Sequence, residues 1–416
     1  MKINVNYRNS CRVCQSKNLH KIFSFPDMPL HDRFVSAEDI GNEFGTDLDI
    51  YFCLDCYTVQ TQHDVDLEAY YEDYQYSVGY SQTARNFRQV LANSLISKYF
   101  PNSKKLRVLE VGSGDGSQLI PFKEMGYDVL GYEPSSSAAN LAIERGIPTI
   151  KGFFNQKSVS ELPKELVGNV DIILTSYTFD HLPEPMEFLQ ASKLMLNPKQ
   201  GLLVTEVHDI EMIFSKKEPG LFQHEHSIYL NKSTVQSMLA REGYDTIDFD
   251  LVPESVTRAN SLLFVSTLNN SIFSAGKLPP IDLPEFRDLD FYKQQKDDFY
   301  RGIHNLEVFL EKLILEGKKV AGYGAGPRGV LTLILMNNGD KIEYLIDKNP
   351  QGTGIYAPKS GVPVFGLDKL KESPVDEVIV FCFGYMKEVV EDLKVLGYSP
   401  DRLHSMIDIT GGKIVR

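Results

Sequence analysis

The stretch that predicts the fold is Val108-Leu109-Glu110-Val111-Gly112-Ser113-Gly114-Asp115-Gly116. It begins as a buried strand and continues into glycines, which predict a tight turn before a helix. Glycine has no Cβ, so backbone amides in such a turn can approach a ligand closely. Glu133 follows the next predicted strand, 133 − 114 = 19 residues after Gly114, where a carboxylate can accept both hydroxyls of a ribose. Together, the glycine turn and Glu133 predict a nucleoside-binding site at one edge of an α/β sheet.

The glycine spacing separates two cofactor classes. It reads ExGxGxG rather than the GxGxxG of nicotinamide-binding loops, and it resembles the first motif of class I S-adenosylmethionine-dependent methyltransferases. Asp115 would repel a pyrophosphate, which disfavours the nicotinamide alternative, and the Glu133 spacing disfavours a turn without a ligand. The resemblance implies an S-adenosylmethionine site with an acid at the methionine end. Its residues would be Glu110, Gly112, Gly114, Gly116 and Glu133.

Short apolar runs alternate with helical patterns through the middle of the chain. The pattern predicts a helix over Ala84–Tyr99 and four buried strands, at Arg107–Val111, Asp128–Tyr132, Asp171–Thr175 and Leu202–Glu206. Strands that alternate with helices are typical of a doubly wound, mainly parallel sheet. We therefore predict an α/β fold for this part.

A second, smaller α/β unit is predicted beyond a proline-rich joint at Lys277–Pro284. Apolar residues at spacings of three and four predict an amphipathic helix containing Phe299, Ile303, Leu306, Leu310 and Leu313. Three further runs predict parallel strands at Lys319–Tyr323, Ile342–Ile346 and Glu377–Phe381. The chain is thus predicted to divide into residues 1–75, 76–275 and 276–416.

Composition and charge exclude several classes of protein. Of 416 residues, 42% are hydrophobic and 24% are charged, which argues against disorder and fibrous repeats. The formal net charge of -13 creates a field that repels nucleic acid. The polar start lacks the apolar core of a secretory signal, and no run approaches the roughly 18 apolar residues of a membrane span. We expect a cytoplasmic protein that binds neither nucleic acid nor membranes.

Four of the five cysteines form two Cys-x-x-Cys pairs, which are Cys11, Cys14, Cys53 and Cys56. Two such pairs can place four thiolates tetrahedrally around zinc, and a closed four-cysteine site is structural. The segment between the pairs is longer than in a compact zinc ribbon, so further structure is expected there. Unliganded thiols and a redox pair are alternatives, and the matched pairs favour structural zinc.

Histidines gather near the carboxyl ends of the predicted middle strands. His181 and His208 follow two of these strands, and His224 and His226 lie further along. The carboxyl ends of parallel strands face a common crevice, where an imidazole can remove a proton near neutral pH and a carboxylate can orient it. His226 with Glu225 is the predicted base pair. Metal binding by the His-x-His pair and a structural role for His208 are alternatives.

A tyrosine-rich stretch precedes the middle part and contains Tyr74 and Tyr76. These rings either pack at a domain joint or line the mouth of the substrate site. In the second case a phenol could donate to a developing oxyanion.

Taken in order, these features resemble one family along nearly the whole chain. It is the family of zinc-binding sugar C-methyltransferases of deoxysugar biosynthesis, which act on nucleotide-linked 4-keto sugars. The order of the matching segments along the chain is more specific to this family than any single segment. The matching segments are Cys11-x-x-Cys14, Met28-Pro29-Leu30, Cys53-x-x-Cys56, Tyr74-x-Tyr76, Glu110–Gly116, Asp180-His181-Leu182-Pro183, His224-Glu225-His226 and Gly322-Tyr323-Gly324-Ala325-Gly326.

The resemblance implies a small N-terminal zinc domain, a class I methyltransferase domain with a Rossmann-like sheet, and a second Rossmann-like domain at the C terminus. The outer domains would grip a dTDP-, GDP- or CDP-linked 4-keto sugar, and methylation would fall at C3. The implied catalytic residues are His226, Glu225, His181 and Tyr76. The implied substrate-binding residues are Tyr74, His224, Gly324 and Arg328.

Two positions depart from the family pattern, and one other class of function stays open. Gln223 stands where many members carry a tyrosine, and Arg328 stands where a lysine is commoner. The Gly324–Gly329 loop also fits GxGxxG, with Asp347 after the next strand, so a second dinucleotide site is an alternative. A zinc-ribbon methyltransferase that acts on RNA or protein is the other class, and the lack of an obvious basic face argues against it.

Overall fold

The structure is a computed structural model that describes residues 3–30, 33–66, 82–350 and 352–413. In these residues the chain forms sheets of two, four, seven and six strands. Tyr74, Tyr76 and the predicted boundary at residues 75 and 76 lie outside the described residues. The division into 1–75, 76–275 and 276–416 stays a proposal.

The N-terminal part is made of short antiparallel strands. They are β1 (Val5–Tyr7), β2 (Leu19–Met28), β3 (Thr46–Cys53), β4 (Val59–Thr61) and β5 (His63–Val65). β1 pairs with β5, while β2, β3 and β4 pair in sequence. The long segment between the two cysteine pairs therefore contains β2 and nearly all of β3, which accounts for part of its length.

The middle part is a seven-stranded sheet with helices between its strands. Its strands are β6 (Arg107–Val111), β7 (Asp128–Glu133), β8 (Thr149–Lys151), β9 (Ile172–Ser176), β10 (Leu202–His208), β12 (Tyr244–Asp248) and β13 (Ser261–Leu268), with β11 (Ile228–Tyr229) outside the sheet. The helices are α1 (Gln82–Tyr99), α2 (Ile120–Glu124), α3 (Ser136–Glu144), α4 (Gln156–Ser160), α5 (Pro185–Met195), α6 (Ile210–Lys216) and α7 (Lys232–Arg241). The strand order is β12-β13-β10-β9-β6-β7-β8.

The predicted doubly wound sheet is confirmed. β6 pairs in parallel with β7 and β9, and β10 continues the parallel run beside β9. Within this sheet only β13 is reversed, and it pairs antiparallel with both β10 and β12 at one end. The carboxyl ends of β6, β9 and β10 are therefore neighbours, which places the glycine loop and the residues after β9 and β10 along one edge.

β11 does not join the middle sheet but completes the N-terminal one. It pairs antiparallel with β4, so that Ile228 is opposite Gln60 and Tyr229 is opposite Val59. The middle part of the chain therefore supplies one strand of the sheet that carries Cys53. Sequence periodicity could not predict this pairing, because two residues carry no period.

The C-terminal part is a second, six-stranded α/β unit, as predicted. Its strands are β14 (Val320–Tyr323), β15 (Leu345–Ile346), β16 (Ile355–Tyr356), β17 (Pro363–Phe365), β18 (Glu377–Val380) and β19 (Leu403–Ser405). Its helices are α8 (Leu289–Leu315), α9 (Pro327–Leu335), α10 (Lys369–Glu372), α11 (Met386–Val395) and α12 (Met406–Thr410). The order is β16-β17-β15-β14-β18-β19, with only β16 antiparallel to its neighbour.

Helix α8 joins the parts of the molecule through its apolar face. All five residues predicted for that face are buried, and Phe299 packs against Phe23, Phe214 and Phe222 from the N-terminal and middle parts. In the part of the chain that is described, no helix combines the length and the apolar character needed to cross a bilayer.

We expect Phe299→Ala to lower the free energy of unfolding by about 3–5 kcal/mol, because it leaves a cavity among three aromatic rings. The measurement is a denaturation curve of the purified protein. The matched control is Tyr300→Ala, because the neighbouring ring is 53% exposed and its loss should change stability little. Equal effects of the two variants would contradict the packing role of α8.

Candidate active site and metal centre

The four paired cysteines converge on one point. Cys11 Sγ lies 3.5 Å from Cys56 Sγ, and Cys14 Sγ lies 3.5 Å from Cys53 Sγ, with all four sulfurs within 4.8 Å of one another. A tetrahedron of sulfurs at 2.3 Å from zinc has edges of about 3.8 Å. The sulfur positions therefore fit a zinc ion, which would be held by Cys11, Cys14, Cys53 and Cys56.

The two knuckles share one backbone geometry. The amide of Gln15 donates to the carbonyl of Cys11, and the amide of Tyr57 donates to the carbonyl of Cys53. Gln15 and Tyr57 each follow the second cysteine of a pair and have φ of 61° and 64°. Left-handed backbone at matching positions turns each pair toward the same centre. This repetition supports a four-thiolate site over two independent thiol pairs.

Arg12, between the first two cysteines, links the metal site to the middle part of the chain. Its side chain is completely buried. Its guanidinium donates to the carbonyls of Thr61 and His63 at 3.0 and 2.9 Å, and to the carbonyl of Pro183 at 3.0 Å. It also pairs with Asp64 at 2.5 Å. Pro183 is two residues from His181, so the knuckle holds the end of the segment that carries this histidine.

The glycine loop follows β6 and is closed by Glu133 at the end of β7. The Glu133 carboxylate accepts the amide of Gly114 at 2.7 Å and that of Ser135 at 2.8 Å. Gly112 and Gly114 have φ of 69° and 50°, which glycine adopts without strain. A Cβ on Gly112 would lie 2.2 Å from Thr178, whereas one on Gly114 would enter open space. The backbone at Gly114 is thus open to a ligand.

The acids of this loop fit a cationic ligand. Glu110 is buried, and burial raises its pKa well above the usual range, with Arg88 opposing the shift. Its Oε2 and the Ser113 hydroxyl are buried without a hydrogen-bond partner among the described residues. A ligand carrying an ammonium group and a sulfonium, together with ribose hydroxyls, would supply the missing charge and donors. S-adenosylmethionine is such a ligand.

The charge of Asp115 separates the two cofactor classes less clearly than the sequence suggests. Asp115 pairs with Arg145 at 2.6 Å, so its charge is compensated and would repel a pyrophosphate less. The preference for S-adenosylmethionine rests instead on Glu110, Glu133 and the loop geometry.

Three predicted or candidate histidines meet at the carboxyl edge of the sheet. The ring of His226 lies 4.6 Å from that of His208 and 4.8 Å from that of His181. His226 Nδ1 donates to the carbonyl of Leu221 at 2.9 Å, which leaves Nε2 as the nitrogen that can accept a proton. Burial, together with the neighbouring His208 and His181, lowers the pKa of His226 to about 3. The ring is therefore neutral at physiological pH, as a base must be.

His224 lies apart from this histidine cluster. Its Nε2 donates to the carbonyl of Met28 at 2.8 Å, and its Nδ1 accepts from His63 Nε2 at 2.8 Å. Both ring nitrogens thus face the N-terminal part. Glu225 is buried beside His226 in sequence and raises its pKa. His224 and His226 are therefore not brought together as a His-x-His metal pair.

A second group of charged residues lies where the middle and C-terminal parts meet. Arg328, at the start of α9, pairs with the buried Glu218 at 2.8 Å and stacks 5.3 Å from the Phe383 ring centroid. Lys216 is buried, lies 5.6 Å from the same ring centroid and donates to Asn260. Asn260 in turn donates to Glu218. Gly324 precedes this helix with φ of 105°, in the loop predicted to bind substrate.

Sequence reasoning missed three residues at this edge. Tyr177 has φ of 49° and stacks on both His208 and Arg258, at 4.5 Å from each. Arg258 pairs with Glu206, and Asp180 accepts from His208 Nδ1 at 2.8 Å. Asp180 lies in the Asp180-His181-Leu182-Pro183 segment, which matches the family pattern. Its carboxylate is the feature of the sequence that could have identified it as a site residue. Tyr177 and Arg258 carry no local pattern.

We expect Cys53→Ser to lower the zinc content from about one ion per chain, because three thiolates hold the ion less well than four. The loss should also raise amide hydrogen exchange at Thr61 and Tyr229, since the sheet that joins them starts at the knuckle. Metal analysis and exchange mass spectrometry provide the readouts. Cys382→Ser, which removes the cysteine outside the pairs, is the control. Full zinc content in Cys53→Ser would contradict this assignment.

We expect Glu133→Gln to weaken S-adenosylmethionine binding about 10- to 100-fold. An amide NH₂ would face the amide of Gly114 or Ser135 and could not accept both ribose hydroxyls. Calorimetric titration measures this affinity. Asp128→Asn, at the exposed opposite end of β7, should bind normally. Unchanged affinity in Glu133→Gln would contradict the ribose role.

Three family models match successive parts of the chain. They describe a zinc binding domain over residues 11–71, a methyltransferase domain over 84–248 and a C-methyltransferase C-terminal domain over 284–399. The C-methyltransferase NovU of Streptomyces niveus is 22% identical over 93% of this chain and 92% of its own length.

Two further similar proteins cover smaller shares of the chain. A ubiquinone biosynthesis O-methyltransferase of Caulobacter sp. (strain K31) is 24% identical over 34% of this chain and 60% of its own. The solved PH0226 protein of Pyrococcus horikoshii OT3 is 18% identical over 48% of this chain and 98% of its own, with a TM-score of 0.37.

The successive domain matches agree with the structure, in which a four-cysteine site, a sheet with a glycine loop and a second α/β unit follow one another. The similarity to NovU extends across all three matched parts. The chain therefore combines a zinc binding, a methyltransferase and a C-methyltransferase C-terminal domain, which together are the parts of an S-adenosylmethionine-dependent C-methyltransferase.

Proposed function

We propose that the protein methylates C3 of a nucleotide-linked 4-keto-deoxysugar, with His226 as the base. The observation that supports this most directly is the buried, neutral imidazole of His226 at the sheet edge that also holds the glycine loop. A carbon that bears hydrogen is not a nucleophile. A ketone at C4 makes the neighbouring C3 proton removable, so a base beside C3 is what this chemistry needs.

The proposed proton transfer uses residues of this chain. His226 Nε2 accepts the C3 proton, the electron pair of the broken C–H bond forms the C3–C4 double bond, and the carbonyl oxygen becomes an enolate oxygen. His181 and Tyr76 are proposed donors to that oxygen, where new negative charge develops. S-adenosylmethionine, when bound, supplies the methyl group as an electrophile. Glu110 and Glu133 would hold it beside the sheet edge.

The charged group at the C-terminal part supports a diphosphate-linked substrate. Lys216 and Arg328 lie together beside the carboxylate of Glu218, and two neighbouring cations suit an anionic ligand. Arginine forms a fork that suits phosphate oxygens. We assign Arg328 and the Gly324 loop to the nucleotide diphosphate, and Tyr74 to the mouth of the sugar site. We also propose His224, whose ring nitrogens contact Met28 and His63, as a substrate-binding residue on the N-terminal side of the site.

The proposal predicts a product heavier by one methyl group when the protein is incubated with S-adenosylmethionine and a panel of dTDP-, GDP- and CDP-linked 4-keto-6-deoxysugars. Mass spectrometry in deuterated water detects both methylation and exchange at C3. His226→Gln should lose about 10²–10⁴-fold in turnover while it keeps its affinity for S-adenosylmethionine. A product methylated on oxygen, or none with any sugar, would contradict the proposal. Methylation of RNA or protein instead would favour the macromolecular class.

A further inference from the structure

Asp180 is a buried carboxylate among the histidines. It is 1% exposed, and its Oδ2 accepts from the backbone amide of His208 at 3.1 Å and from His208 Nδ1 at 2.8 Å. One of its carboxylate oxygens lies within 4.8 Å of a ring nitrogen of His226. Its Oδ1 has no hydrogen-bond partner among the described residues. A buried charge in this position acts on the imidazoles around it.

The backbone of Asp180 also holds the loop that carries His226. Its carbonyl accepts from the amide of Ser227 at 2.7 Å and from the Ser227 hydroxyl at 3.0 Å. The same hydroxyl donates to the carbonyl of Leu182 at 2.6 Å. Ser227 directly follows His226, so the position of the base depends on the segment that contains Asp180.

Two carboxylates can act on His226, and they differ in position. Glu225 is the sequence neighbour of His226, whereas Asp180 is 46 residues away (226 − 180). Burial lowers the pKa of His226 and the two histidines lower it further, while Asp180 and Glu225 raise it, Asp180 by more. The hydrogen bond from His208 helps keep the pKa of Asp180 low, in spite of burial. Asp180 therefore stays ionised beside the base.

We propose that Asp180, rather than Glu225, is the principal positioning residue of His226. Its carboxylate stabilises the imidazolium that forms when His226 accepts a proton, and its carbonyl fixes the backbone after His226. This inference rests on the proposed function, because it takes His226 as the base. The proton that leaves the substrate carbon is then held on His226 beside a fixed negative charge, which lowers the barrier to its removal.

The test compares Asp180→Asn with Glu225→Gln in the full-length, zinc-loaded protein. The probe is the nucleotide-linked 4-keto sugar that the wild type converts fastest. Asparagine keeps an oxygen that can accept from His208 and removes only the charge. We expect Asp180→Asn to lower kcat, and the rate of C3 exchange in deuterated water, by about 10²-fold. KM and S-adenosylmethionine affinity should change less than about threefold, and Glu225→Gln should lose less in kcat than Asp180→Asn.

Two further variants separate the charge from the fold. Asp171→Asn changes another buried aspartate just before the start of β9, whose carboxylate accepts from Arg107, Asn197 and Gln200, and it should keep the wild-type kcat. Asp180→Glu restores the charge and should recover part of the lost kcat. If Asp180→Asn folds poorly, the kcat of Asp180→Glu still reports whether a negative charge at this position supports the reaction.

The outcomes distinguish this inference from the function on which it rests. A wild type that neither exchanges C3 hydrogen nor methylates any sugar would overturn the proposed function and this inference with it. An active wild type would overturn only the inference in either of two cases. In the first, Asp180→Asn retains full kcat or loses less than Glu225→Gln. In the second, Asp180→Asn and Asp180→Glu lose the same amount, which would make the role of Asp180 purely structural.

Discussion

The antiparallel pairing of β4 with β11 is the constraint on which the rest of the site depends. β4 starts three residues after Cys56, and β11 starts two residues after His226. Thr61 donates its hydroxyl to the carbonyl of His226 at 2.5 Å, and its amide donates to Ser227. Two strands this short have little stability alone. A metal ion at the knuckle would fix one of them and, through it, the loop that carries the base.

Desolvation sets the electrostatics on both sides of this edge. Burial raises the pKa of Glu110 and that of Glu133, and two backbone amides oppose the shift at Glu133. Glu110 therefore binds a proton more readily than in water until a cation compensates its charge. His226 is buried among imidazoles, so it resists a proton until a carboxylate compensates. The same burial thus prepares one pocket for a cationic cofactor and the other for proton abstraction.

Local patterns predicted much of the fold, whereas contacts between distant segments were beyond them. β6 has the predicted bounds because a strand and its glycine turn are encoded within ten residues, and the cysteine pairs mark the metal site for the same reason. The strand predicted at Ile342–Ile346 is only Leu345–Ile346, since a 3₁₀ turn ends just before Ile342. Asp180 lies near His226, and Arg12 contacts Pro183, only in the folded chain. No residue spacing in the sequence predicts either contact.

Arg12 illustrates why a structural metal can matter for a distant reaction. Its burial is tolerable because an acid and three carbonyls surround the guanidinium. That arrangement requires the Cys11–Cys14 turn to lie against both the strand before His63 and the segment after His181. A knuckle without its ion would let the turn open and leave a buried cation poorly paired, at a cost of several kcal/mol. The metal centre and the active-site loops should therefore order together, because the same arginine is a member of both.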